Sequence, residues 1–297
     1  MTLYTQTMSP SGLISCKGAD ALKFLQGQIT SNMDDISPSN GLFGAFCNPK
    51  GRIKTTFLVI QVAEEEFVLL MDTSQCDYII SELSPYVAFF KAELANVSES
   101  YQVIGVINDT ETATAEKPVY TVVESDGVFE ITIPGFKDRS LLLVPEGMSS
   151  EYQSDSSVNW DLMDIEDGYV WINESNRESF LPHDINLPAI GGVSYEKGCY
   201  TGQEIIARMH YRGNPKYTAA VIDSKETDFS SADQLKQQLT ESDTKKIGQV
   251  VSKPVSDNDN SYILASVSKD LLDGSHFQLS NSPNPSILCN IKKPYFG

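Results

Sequence analysis

The stretch Gly191-Gly192-Val193-Ser194-Tyr195-Glu196-Lys197-Gly198-Cys199-Tyr200-Thr201-Gly202-Gln203-Glu204-Ile205-Ile206-Ala207-Arg208-Met209-His210 sets four glycines close to a thiol, an ammonium and carboxylates. Gly198 lets another group approach the backbone beside Cys199, and Gly202 ahead of Gln203-Glu204 predicts entry into a helix that runs through Arg208. Cys199 is therefore expected in a loop near a helix N-terminus and within reach of Lys197. Both features favour the thiolate, the form that acts as nucleophile or metal ligand. Taken alone, a single cysteine reads as a small buried hydrophobe; the glycine and charge around this one shift the reading to chemistry. His183 and His210 lie nearby in the chain, but a catalytic histidine is placed in space rather than by spacing. His183, in Leu181-Pro182-His183-Asp184, reads as a turn or hydrogen-bonding residue, and His210 as part of a polar face.

Working outward, 297 residues are enough for more than one domain, and 40% hydrophobic with 21% charged residues is ordinary globular composition. Against 40 Asp and Glu there are 22 Lys and Arg, a formal charge of −18, which disfavours bulk polyanions; no direct nucleic-acid binding is expected. The best apolar run, 57–62, is broken by Gln61 and followed by Glu64, Glu65 and Glu66, so no membrane span is expected. The first residues carry neither a basic nor an apolar export region, which makes the cytoplasm the expected location. Five scattered cysteines without a C-x-x-C pair argue against a disulfide framework and against a self-contained metal site; no stably bound metal is expected.

Hydrophobic spacing predicts a strand at 12–16, then a helix from Ala21 with Asp20 as its N-cap. A hairpin at 41–52 turns at Asn48-Pro49-Lys50-Gly51. Strands at 53–62 and 65–71, a helix at 76–90 and a strand at 101–107 complete a ββαβ unit. After a loop at 109–117 come strands at 119–123, 128–133 and 140–144, a connector at 148–159 including a short helix, and a helix over 160–173. From Tyr217 onward, apolar runs at 219–222, 247–251, 262–267 and 277–279 alternate with polar turns, as in a small β-barrel. The expected class is α+β.

Lys197-Gly198-Cys199-Tyr200-x-Gly202-Gln203-Glu204-x-x-x-Arg208 resembles the signature of the YgfZ family of folate-binding proteins, relatives of the glycine-cleavage T-protein (aminomethyltransferase). Seven fixed residue types in eight positions recur by chance about once in a billion positions at average usage. Gly18-Ala-Asp-x-x-x-Phe-Leu-Gln-Gly-Gln-Ile-Thr30, Cys47-Asn-Pro-Lys-Gly51 and Leu187-Pro-Ala-Ile-Gly-Gly-Val193 agree with the same family.

The resemblance implies a three-domain T-protein-like ring around a tetrahydrofolate. Its parts would be a discontinuous folate-binding α+β domain (1–47 and 112–212), an inserted α+β domain (48–111) and a C-terminal β-barrel domain (213–297). It implies Cys199 and Lys197 as reactive residues and Trp160, Glu166, Tyr200, Gln203, Glu204 and Arg208 as the folate-binding set. A tryptophan offers a pterin a flat face, and a carboxylate accepts from its amino and ring N–H groups.

Two departures stand out. Where the T-protein hairpin runs G-G-I-x-D-D and supplies a catalytic aspartate, this chain has Gly51-Arg-Ile-Lys-Thr55-Thr56, and neutral hydroxyls do not replace that carboxylate. Classical aminomethyl transfer is therefore not expected. Ser11 and Gly12 stand where some relatives carry a second tryptophan, which predicts a looser hold on the ligand. The leading function is a tetrahydrofolate-binding accessory protein for iron–sulfur cluster assembly or repair that uses Cys199 as a thiolate. Its expected partners are cluster-assembly proteins or cluster-dependent enzymes such as tRNA-modifying enzymes, with an indirect effect on tRNA modification. The alternatives are a folate-dependent one-carbon transferase with other catalytic residues, and a non-enzymatic docking scaffold.

Overall fold

The computed structural model describes residues 3–7, 11–111, 118–148, 159–225, 234–240, 243–271, 278–279 and 290–296. The first part contains β1 (Leu3–Thr7), β2 (Ser11–Lys17), α1 (Ala21–Gln26), β3 (Asn40–Cys47), β4 (Ile53–Ala63), β5 (Glu66–Asp72), α2 (Cys76–Val87) and β6 (Glu93–Asn96). Then come β7 (Tyr101–Glu111), β8 (Tyr120–Ser125), β9 (Val128–Ile133), β10 (Lys137–Pro145), α3 (Trp160–Asp167) and α4 (Gln203–Arg212). Ten strands form one antiparallel sheet in the order β1-β7-β10-β9-β8-β3-β4-β5-β2-β6. Its two halves meet at a short ladder in which Asn40 and Gly41 of β3 face Thr121 and Tyr120 of β8. The expected boundary at 47/48 falls at the turn of the β3–β4 hairpin.

β4 and β5 read as nearly unbroken apolar runs because both of their faces are covered. Leu58, Ile60, Val68 and Leu70 pack into one core. The alternate residues Phe57, Val59, Phe67 and Leu69 pack into a second core with Phe24 and Leu25 of α1 and Ile79 and Leu83 of α2. Each such side chain contributes roughly 1.5–3 kcal/mol when fully buried.

The remaining strands, β11 (Tyr217–Ser224), β12 (Gln234–Thr240), β13 (Asp243–Val250), β14 (Val255–Asp257), β15 (Asn260–Ser268), β16 (Gln278–Leu279) and β17 (Asn290–Lys292), form a separate seven-stranded antiparallel sheet. The strand expected at 277–279 appears at Gln278–Leu279; residue 277 lies outside the described residues, as do most of the connector expected at 148–159 and the end of the loop expected at 109–117.

Three local expectations are corrected. The helix expected over 160–173 stops at Asp167, because Gly168 takes a left-handed conformation (φ 89°). The amides of Gly168 and Tyr169 both turn back onto the Asp164 carbonyl. That stop frees 169–173 from the helix, so that this segment can reach β4. Asp20 precedes α1 as expected, but its side chain makes no capping bond and accepts from the Lys91 amide at 2.8 Å. The strand expected at 101–107 continues to Glu111, because β10 offers it a partner as far as Lys137.

Candidate functional site

Three stretches far apart in sequence come together around the cysteine loop. Thr30 accepts at its hydroxyl from the Ala45 amide (2.9 Å) and donates to the Gly192 carbonyl, while its own carbonyl receives the Ser194 amide at 2.8 Å. Lys197 is buried, and its ammonium donates to the carbonyls of Ile29 (2.8 Å) and Ser31 (2.7 Å). Gly202 begins α4 with φ 86°, and a Cβ there would come within 2.6 Å of the Asn48 carbonyl oxygen. The start of α4 therefore packs on the Asn48–Gly51 turn, which Asn48 closes by accepting from the amides of Lys50 and Arg52.

Cys199 lies in the loop before α4 and is exposed, whereas Cys16, Cys47 and Cys76 are buried. Burial pushes the Cys16 thiol up to about 12 and the Cys76 thiol up to about 11. Of the four described cysteines, Cys199 alone is open to a partner. Burial also lowers the Lys197 ammonium to about 8, opposed by Asp34. Its two carbonyl bonds make Lys197 a strut between the signature loop and the exit of α1. Tyr200 is buried under the Lys197 ammonium, 5.0 Å from the ring centre. Gln203 is half-buried, and Glu204 and Arg208 are exposed on α4.

The two histidines gather around Tyr195. The Tyr195 hydroxyl lies 3.0 Å from His183 Nε2, and the His210 ring stacks on Tyr195 with 3.7 Å between centroids. Burial and the neighbouring His210 lower His183 to about 4.

A second feature lies under α3. A cavity with an empty volume of about 870 Å³, counting its open mouth, is walled by Trp160, Trp171 and Tyr169, with Leu70 and Met71 of β5 beneath. Val103 and Leu141 continue the wall from the other half of the large sheet, and Ser252 and Lys253 reach it from the C-terminal sheet. Its aromatic walls, with a few polar side chains between them, suit a ligand that carries a flat ring. None of the residues from Lys197 to Arg208 lines it among the described residues.

Trp160 is 1% exposed and serves as both core residue and wall. Behind it sits a buried ion cluster in which Arg139 reaches Asp164 at 2.7 Å and Asp167 at 2.8 Å, with its guanidinium carbon 4.6 Å from the Trp160 ring centre. Burial raises Asp164 to about 6 against the pull of Arg139. Asp164 also accepts from the indole N–H of Trp171 at 2.8 Å, which fixes that ring at the cavity.

Glu166 stands exposed on another face of α3 and does not line the cavity, which takes Asp161 and Asp164 from that helix. Although the residue as a whole is exposed, partial desolvation of its carboxyl by the packed neighbours, together with Asp167, raises it. Trp171, Asp161, Asp164 and Lys253 escape the sequence reading; the one local sign of Trp171 is its place three residues after the helix-ending Gly168.

Ser11 lines the cavity where a second tryptophan was missed. Gly12 has no room for any side chain, since a Cβ would lie 2.4 Å from Cys76 Sγ and 2.7 Å from the Thr73 Cα. Trp171 provides a second indole from another element.

Thr55 and Thr56 are fully buried. The Thr56 hydroxyl donates to the Val170 carbonyl and accepts from the Ile172 amide at 3.1 Å, tying β4 to the segment after α3. An ionised aspartate accepts only and could not make both bonds. Thr56→Val is expected to cost about 1–3 kcal/mol by stranding both groups, read as a lower urea midpoint with an unchanged slope; an unchanged midpoint would contradict that role.

No group of three or more His, Cys, Asp or Glu poised for a metal occurs among the described residues, and no helix among them is long and apolar enough to cross a membrane.

Residues 6–107 match the model of the GCVT N-terminal domain. The chain is 31% identical over 220 residues to the "tRNA-modifying protein YgfZ" of Hamiltonella defensa subsp. Acyrthosiphon pisum, a match over 68% of this chain and 64% of that one, so about a third of that relative is unmatched. It is 28% identical over 283 residues to the protein of that name from Colwellia psychrerythraea, covering 90% and 86%. For Yersinia pseudotuberculosis serotype O:1b the figures are 32% over 222 residues, covering 69% and 66%. Among solved structures, the glycine cleavage system aminomethyltransferase T from Bartonella henselae superposes with a TM-score of 0.72 over 99% of this chain and 86% of its own. At 13% identity that likeness shows the fold alone. With the Lys197–Arg208 signature, the large antiparallel sheet and these relatives in agreement, the chain belongs to the YgfZ family and has the T-protein fold.

Proposed function

We propose that the chain binds tetrahydrofolate, or a one-carbon derivative of it, in the Trp160–Trp171 cavity. In this reading it acts as an accessory to iron–sulfur cluster assembly or repair, with Cys199 as a thiolate offered to a partner. The observation that carries the folate reading is a cavity bounded by two indoles and lined by the carboxylates of Asp161 and Asp164. The pterin would lie against Trp160 and Trp171, and a carboxylate there would accept from its N–H groups. Bound folate supplies a one-carbon carrier; the protein's own residues hold and orient it. Contributions from both halves of the large sheet and from the C-terminal sheet support a three-part ring around the ligand with a barrel-like third part. Tyr200, Gln203, Glu204 and Arg208 then serve the cysteine loop, with Lys197 positioning it.

An exposed thiol on a loop braced by Lys197 suits transient ligation of a cluster, because stable clusters take four protein ligands. The relatives' name, tRNA-modifying protein YgfZ, ties the family to tRNA modification. On a chain of −18 that tie is best carried by cluster-dependent enzymes rather than by tRNA binding here. A one-carbon transferase is less favoured, since Thr56 is committed to backbone bonds on both sides.

Titrating tetrahydrofolate while following tryptophan fluorescence tests the folate reading. Wild type is expected to saturate. Trp171→Ala, a half-buried position, is expected to weaken binding roughly tenfold, the scale of one lost stacking face. Absence of saturable binding to wild type would overturn the proposal.

A further inference from the structure

Asp72, Asp161 and Asp164 line the cavity, Asp164 already paired with Arg139 behind it, and Lys253 is the one cation lining it among the described residues. We infer that Lys253 clamps the acidic tail of the bound folate and selects for ligands that carry glutamate, an inference that rests on the folate reading above. A folate is a two-ended molecule, with a flat, donor-rich pterin at one end and carboxylates at the other. An acidic cavity on an acidic chain repels the second end unless a cation meets it.

The backbone that presents Lys253 is held on both sides. Asn176 donates from its amide nitrogen to the Val251 carbonyl at 2.9 Å, fastening the loop to the segment after α3. The Ser252 hydroxyl accepts from the Leu264 amide at 2.8 Å and donates to the Lys253 carbonyl at 2.9 Å. Pro254 follows and restricts the chain on the other side. The Lys253 side chain itself is exposed and makes no ion pair among the described residues. A fixed backbone carrying an uncommitted ammonium on a flexible stem suits a tail that varies in length but always bears carboxylates.

In the folate reading the tryptophans and Asp161 meet the ring end of the ligand, which leaves this discrimination to Lys253. The clamp also gives the C-terminal sheet a direct part in ligand selection.

Calorimetric titrations with tetrahydrofolate, its triglutamate and tetrahydropteroate amide test this, since the amide has the same rings without the glutamate. The proteins are wild type, Lys253→Gln, Lys253→Glu and Lys23→Gln, the last an equal charge change at an exposed residue that does not line the cavity. At low salt, Lys253→Gln is expected to weaken tetrahydrofolate about twofold to fivefold, the size of a solvent-screened charge pair. Lys253→Glu should weaken it more, with the largest loss for the triglutamate, and added salt should shrink each difference. The amide should bind all four proteins alike, and Lys23→Gln should match wild type throughout. Equal effects of the Lys253 changes on the amide and on tetrahydrofolate, or none on either, would overturn the clamp while the folate reading stood. Failure of all three probes to bind wild type would overturn the folate reading and the clamp with it.

Discussion

Cys199→Ser is expected to leave the protein folded while removing most of its support for cluster-dependent tRNA modification in cells. The side chain is exposed, so exchanging sulfur for oxygen disturbs no packing and should change stability by no more than about 0.5 kcal/mol. The loss falls on chemistry instead. A serine hydroxyl is neither ionised near neutral pH nor a soft ligand, so it can neither coordinate iron nor carry sulfur as a thiolate does. The measurement is the fraction of cluster-dependent tRNA modification, by mass spectrometry of bulk tRNA, in cells that lack the wild-type protein and express the variant. Unchanged modification alongside normal expression would remove Cys199 from the function. Cys76→Ser is the informative contrast, because that thiol is buried; its polar hydroxyl should cost stability rather than act at the loop.

The largest expected effect on stability belongs to Arg139. Arg139→Met keeps the volume but leaves Asp164 and Asp167 buried together without their cation. Breaking a buried pair in this way costs about 3–5 kcal/mol. The loss should depend on pH with a definite sign. Burial already raises Asp164 to about 6 and shifts Asp167 upward in the wild type, so between the ordinary carboxylate range and pH 6 the native state binds more protons than the unfolded chain. That contribution favours folding at low pH and fades as pH rises through 6. Removing Arg139 raises both carboxyls further, so the variant should regain part of its lost stability as the pH is lowered from 7.5 to about 5. Urea melts at a series of pH values check this. A loss that did not shrink on acidification would mean that the cluster matters through packing alone. Folate binding should weaken too, because the cluster backs Trp160 and, through Asp164, holds Trp171.

Much of the cysteine loop was legible in the chain. Gly202 starts α4, Asn48-Pro49-Lys50-Gly51 makes its turn, and Cys199 falls in the loop before the helix, since each depends on contacts within a few residues. The sequence places Lys197 beside Cys199, but its ammonium bonds to the carbonyls of Ile29 and Ser31, a partnership that spans more than 160 residues and leaves no periodic trace. The helix over 160–173 was overextended because Leu162, Ile165, Tyr169 and Val170 keep a helical spacing across Gly168. The glycine's conformation, with Pro294 packed against the place a Cβ would occupy, decided the matter.

The amino-acid sequence by itself determined the strand and helix types, the turn chemistry, the signature loop and hence the family, because these rest on neighbours along the chain and on which residues must leave water. Only the tertiary structure decided which side chains share the cavity. Trp160 and Trp171 face it together across the end of α3, Arg139 braces them from β10, and Lys253 arrives from a separate sheet. The reason is that such meetings are set by how twisted sheets and helices pack, so that residues with no shared spacing are brought within a few ångströms of one another.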